Sequence, residues 1–280
     1  MGKITQRFSV SDVISMIIVM CLALVCLFPF YWALISSLKT ELAIFSIPPE
    51  WWPKAPSITA YTNLIARTSL ITWTTNSFIV AITTVALICL FATMSGYAFA
   101  HIPFTGKKLL FITVVATMLL PKYVMLVPLY KLIEKLGWFN TYHGMIIPEV
   151  ASALPFSIFL IRQFMSGIPK EIFESATIDG CNRPQSFILV AVPLSKPAIA
   201  SLSILMFVRA WNDYMWQLIV VSKDFMRTLP LGLASLQTEN TKIFSQVMAG
   251  AIVSAIPLLI VFIAFQKFFI RGLASGAVKE

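Results

Sequence analysis

The sequence is short of almost everything an enzyme active site is built from. Only 12 of its 280 residues are acidic and two are histidines, and charged residues of both signs make up 12% of the chain. No phosphate-cradling loop is present. The nearest approach, His101-Ile102-Pro103-Phe104-Thr105-Gly106-Lys107-Lys108, has neither the first glycine nor a hydroxyl residue after the lysine, so the chain offers no nucleotide-hydrolysing site of its own. His101 and His143 stand apart from any thiol or carboxylate at metal-ligand spacing, and no nucleophile-plus-base arrangement is legible. The four cysteines give no disulfide framework: Cys21, Cys26 and Cys89 lie in apolar runs and Cys181 in a polar loop.

What the chain has in excess is apolar surface. Hydrophobic residues reach 58% and the mean hydropathy is +0.85. No soluble domain of this length could bury so much, which makes this an all-α, polytopic membrane protein. The net charge of +9 sits in short loops between apolar runs, a pattern that suits lipid headgroups and acidic partner surfaces rather than nucleic acid.

Six spans are expected, each near the ~20 residues that cross a bilayer core. The first runs from Val13 to about Leu38 with Pro29 as a kink, too long for a signal peptide. The others are Thr72–Ala100, Leu109–Val127, Tyr142–Gln163, Ala198–Val221 and Gln246–Phe269. Between the first two, Lys39–Ser69 carries Pro48, Pro49, Pro53 and Pro56 around Trp51-Trp52, which predicts an outer loop lying at the headgroup level. The chain therefore divides into 1–70, first helix and interfacial loop; 71–270, a transmembrane domain; and 271–280, a tail. Gly272 and Gly276 have helix-dimer spacing but lie past the last apolar run, where a flexible tail is the expectation. The basic residues tilt the termini toward the cytoplasm.

The polar stretch 167–197 organises the second half. Pro169 fits a first helical turn, and Ile172, Phe173 and Ala176 share one face. Gly180 fits a C-terminal stop, and Asn182 with Gln185 forms a capping-box pattern that opens a second helix. Pro193 and Pro197 close that helix and open the next span.

Glu174-Ser175-Ala176, Asp179-Gly180, Pro193-Leu194 and Pro197 resemble the EAA loop of ABC importer permeases, in particular the maltose-type carbohydrate branch. Ser175 and Cys181 stand where that family usually has alanine. Asn76-Ser77, Ser95-Gly96-Tyr97-Ala98, Asn140-Thr141, Arg162-Gln163-Phe164 and Trp211-Asn212-Asp213-Tyr214 fit the same family. The resemblance implies a coupling helix that docks on a cytoplasmic ATPase and a second, homologous permease chain. It also implies two ATPase subunits holding ATP and magnesium, an extracellular or periplasmic solute-binding protein, and no cofactor on this chain. It places the protein in a bacterial or archaeal plasma membrane with both termini cytoplasmic. A secondary, ion-driven transporter is the rival, and a glycerol-phosphate ester an alternative to a sugar as cargo. Neither midplane carboxylate chains nor paired repeats favour the rival.

Charges inside apolar spans point to function, because hydrocarbon does not solvate them. Arg209, Asn212 and Asp213 fall ~18–24 Å along the fifth span from Pro197 at 1.5 Å per residue. On a continuous helix Arg209, Asp213 and Trp216 share a face. Amide, carboxylate and aromatic groups suit sugar hydroxyls and ring C–H faces, so Arg209, Asn212, Asp213 and Trp216, with Glu149 in the fourth span, are candidates for a substrate path. The plainer alternative is that Arg209 pairs with Asp213 and the aromatics form an interfacial belt.

Overall fold

A computed structural model describes residues 10–121, 123–236 and 243–277, with side chains placed as far as 267. Every regular element among them is helical. In chain order these are α1 (Val10–Ser37), α2 (Glu41–Ile44), α3 (Thr59–Arg67), α4 (Leu70–His101), α5 (Lys107–Ala116), α6 (Leu126–Leu136) and α7 (Tyr142–Met165). Then come α8 (Lys170–Ile178), α9 (Arg183–Ser186), α10 (Val192–Leu194), α11 (Lys196–Trp211), α12 (Met215–Val220), α13 (Leu229–Ser235) and α14 (Phe244–Ala277). A π-helical turn, Phe187–Ala191, joins α9 to α10.

Among the described residues, four helices are long and apolar enough to cross a bilayer: α1, α4, α7, and α14 as far as Lys267. The segment Arg183–Leu194 with α11 makes a fifth if that pair, bent by 73°, is one span. Two expectations change here. The third span over 109–127 is not one helix: α5 tightens into a 3-10 turn at Thr117–Leu119, and α6 starts only at Leu126. Pro121 explains the interruption, since its ring fixes φ and holds Leu120 in an extended conformation (ψ 120°). The fifth span also breaks, α11 ending at Trp211 and α12 starting at Met215. Asn212 and Asp213 fill the gap, short polar residues whose side chains compete for backbone groups and weaken a helix interior. At the C-terminal end the backbone of α14 stays helical to Ala277, past the expected end at Phe269. The basic residues Lys3, Arg7, Lys242 and Lys279 lie outside the described residues.

The chain forms two compact units. The smaller comprises Met1–Thr68 with Ser235–Ala255. In it, the proline-rich loop is tied to the first helix: Tyr31 donates to the Trp51 carbonyl at 2.5 Å, and the Phe28, Trp32 and Trp51 rings lie 5.8–6.3 Å apart. Trp51 and Trp52 remain exposed. Glu41 caps the start of α14 from across the sequence, accepting from the Phe244 and Ser245 N–H groups at 3.1 and 2.8 Å and from the Ser245 hydroxyl at 2.6 Å. A carboxylate there satisfies otherwise unpaired donors and meets the positive end of the helix dipole.

The larger unit, Ser69–Ala234 with Ile256–Glu280, is organised around α4, which packs along α7 and α11. Small residues bring the backbones together, as membrane helices require in the absence of a solvophobic drive. A Cβ on Gly96 would sit 2.7 Å from Ile161 Cγ2 and 3.1 Å from the Arg162 nitrogen. At Gly232 it would meet the Trp73 ring at 2.2 Å. Gly96→Ala is therefore expected to force α4 and α7 apart and cost about 1–3 kcal/mol. A thermal-unfolding midpoint in detergent that matches wild type would contradict the close crossing.

Candidate functional site

The 167–197 loop folds from the residues that mark it. Pro169 precedes α8 in an extended conformation, and the helix starts at Lys170. It ends in a Schellman turn: Gly180 takes φ 87°, its N–H donates to the Thr177 carbonyl at 3.1 Å, and that of Cys181 donates to Ala176 at 2.9 Å. Asn182 and Gln185 form a reciprocal capping box at 3.0 and 2.8 Å. Pro193 lies just past the π turn, where Val192 N–H reaches back to Phe187. Widening the helix there relieves the clash a proline ring makes with the carbonyl four residues earlier. Ser195 marks the 73° bend, and Pro197 lies in the first turn of α11.

One face of α8 is docked and the other is free. Phe173 stacks on His101, centroids 3.9 Å apart, and lies 6.0 Å from Tyr97, which in turn lies 5.4 Å from Phe187. His101 Nε2 meets the Met165 carbonyl at 3.0 Å, so α8 rests where the ends of α4 and α7 are joined. Ala176 is buried, whereas Glu174, Ser175, Asp179 and Gly180 are exposed. Beside it, Lys107 donates to the Ala100 and Ile102 carbonyls at 3.3 and 3.1 Å. Partial burial, with the charges of Arg162 and Lys170 nearby, holds its ammonium below the usual lysine range.

The polar residues of the fourth and fifth expected spans are brought together differently from the sequence expectation. Arg209 does not pair with Asp213. Its Nε donates to Glu149 Oε1 at 2.6 Å and its Nη2 to the Ser152 hydroxyl at 2.9 Å, linking α11 to α7. Glu149 is 3% exposed, and the Arg209 side chain 32%. Asn212 is exposed and donates to the Val208 carbonyl at 2.9 Å, while Asp213 accepts from Gln217 at 3.4 Å.

Trp216 leaves this group, because the break at 212–214 removes the shared face. It is 2% exposed, and its indole donates to the Gly144 carbonyl at 2.9 Å. That carbonyl is the one Pro148, lacking an N–H, cannot take up within α7. Trp216 thus replaces a missing helical hydrogen bond.

Asn76 and Asn140 emerge as organisers to which residue-level reasoning gave no role. Asn76 donates to the Phe225 and Arg227 carbonyls, both at 2.9 Å, and accepts from the Tyr142 hydroxyl at 2.7 Å. Asn140, at φ 55°, accepts from the Ser222 and Lys223 N–H groups at 2.8 Å. An amide at the start of an apolar span was the available signal for Asn76.

The larger unit is thus a helical bundle with a short helix seated at one end and a partly buried ion pair linking α7 to α11. Residues 90–275 match the family described as binding-protein-dependent transport system inner membrane component. The arabinooligosaccharides transport system permease protein AraQ of Bacillus subtilis is 35% identical over 98% of both chains. The trehalose/maltose transport system permease protein MalG of Thermococcus litoralis is 33% identical over 92% of this chain and 93% of its own. A chain of a bacterial ABC transporter for import of the acidic polysaccharide alginate superposes with TM-score 0.81 at 22% identity, over 95% of this chain and all of that one. The chain belongs to the binding-protein-dependent permease family, and its fold is that of an ABC importer permease.

Trp216→Ala is expected to cost about 3–5 kcal/mol, as deletion of a buried aromatic does. It should lower the amount of assembled protein while transport per assembled molecule stays normal. Impaired transport at normal assembly would return Trp216 to the substrate path.

Proposed function

We propose that the chain forms half of the translocation path of an ATP-driven importer for a sugar or sugar derivative, paired with a second, homologous permease subunit. Two ATPase subunits, which alone carry ATP and magnesium, bind beneath it, and a solute-binding protein delivers the cargo from outside. Both termini then face the cytoplasm. The relatives' names support the carbohydrate class: arabinooligosaccharides, trehalose and maltose, and the diacetylchitobiose of a permease from Streptomyces coelicolor.

The observation that carries the coupling assignment is the division of α8 into a docked and a free face. Phe173 holds it to α4 and Ala176 is buried, and Glu174 with Ser175 stays available to a partner. Gly180 and the capping box hold the two short helices in fixed relation, and Pro193 and Pro197 sit in the connection to α11. A push on α8 reaches α4 and α7 directly, and α11 through this connection. Switching such a machine from 1:99 to 99:1 needs about 5.5 kcal/mol of differential binding. Arg209, Asn212 and Asp213, with Glu149 behind them, are the residues offered to substrate at the far end of α11.

Vesicles containing the full complex should take up labelled arabinooligosaccharide, maltose, trehalose or diacetylchitobiose only with ATP and binding protein present. Glu174→Lys reverses charge at a docking surface. It should leave the permease in the membrane and release the ATPase. ATP-driven uptake at the normal rate in this variant would remove the coupling role from α8.

A further inference from the structure

We infer that Glu149 is a built-in counter-charge that turns the Arg209 guanidinium into a hydrogen-bond donor for uncharged, hydroxyl-rich solutes rather than a receptor for anions. This deepens the sugar-path reading and rests on it. The carboxylate is 3% exposed and lies 2.6 Å from Nε, so it belongs to the protein interior and neutralises the cation from behind. Ser152 fixes the other edge: its hydroxyl accepts from Nη2 at 2.9 Å while donating to the Glu149 carbonyl at 3.0 Å. The Nη1 end of the fork takes no part in these two bonds, and 32% of the side chain stays exposed. A guanidinium is not left facing lipid tails. Its exposed end therefore belongs to a polar surface of the path, offering N–H donors at fixed geometry and no net charge.

Chemistry then selects the ligand. An unpaired guanidinium forms bidentate, charge-assisted bonds to carboxylates and phosphates, and would retain an acidic solute. A guanidinium already paired gains little from a second anion, which must also approach Glu149. Hydroxyl groups carry no such penalty, so the pair favours a neutral sugar over a glycerol-phosphate ester.

The test uses the purified complex with its partner permease and ATPases, titrated with glucose, glucuronate and glucosamine at neutral pH. The wild type should show no preference for glucuronate over glucose. Glu149→Gln should prefer glucuronate by roughly tenfold or more, and Arg209→Gln should prefer glucosamine similarly. Glu149→Gln/Arg209→Gln should show neither preference. A wild-type preference for glucuronate that Arg209→Gln abolishes would overturn the proposal, as would an assembled Glu149→Gln complex with no preference. If the single variants fail to assemble, assembly of the double variant with an indifferent wild type supports the pairing, and failure of the double variant as well assigns the pair to structure and defeats the proposal. Loss of sugar uptake by the wild type would defeat the sugar-path reading separately, since these titrations require no transport.

Discussion

Inside hydrocarbon a polar group has only the protein to bond to, and the larger unit of this chain is arranged around that constraint. Pro148 removes a donor from α7, and the indole of Trp216 supplies one to the stranded Gly144 carbonyl. Glu149, one residue on, is satisfied from α11 by Arg209. Asn76 receives and donates at the start of α4 and so fixes both Tyr142 and the 225–227 backbone. Each of these bonds crosses between elements, so satisfying local polarity also sets which helices are neighbours. The close passage at Gly96 completes the arrangement, with Ile161 and the Arg162 backbone filling the space a side chain would need.

At the opposite end from the Glu149–Arg209 pair, aromatic contacts take over from hydrogen bonds. Tyr97, His101, Phe173 and Phe187 join α4, α8 and the π turn. Packed cores are stiff, so displacement of α8 is transmitted rather than absorbed. The π turn and the bend at Ser195 are the places where this half of the molecule departs from straight helices, and they stand directly between α8 and the helix that carries Arg209.

Local signals in the sequence were reliable where the physics is local. Gly180, Asn182 and Gln185 predict their turn and cap because those structures involve neighbouring residues only. Pro121 carried the signal for the broken third span, outweighed by the apolar run around it. The break at Asn212-Asp213 was weaker, marked by two short polar residues without glycine or proline. The partner of Arg209 was not legible: Asp213 has the right spacing on a continuous helix, whereas Glu149 is 60 residues away and becomes a neighbour only when α7 packs on α11. The contact made by Trp216 was not legible for the same reason, since it is set by a carbonyl freed by Pro148 on another helix.

If α8 drives the membrane helices through its aromatic seat, the ratio of solute imported to ATP hydrolysed should change in Phe173→Ala. The side chain faces the seat and not the exposed face of α8, so the proposed docking of an ATPase on that face is expected to persist. Hydrolysis by the complex should continue while uptake per ATP falls roughly tenfold or more, because a cavity replaces the contact with His101 and Tyr97. An unchanged ratio in a fully assembled complex would contradict it.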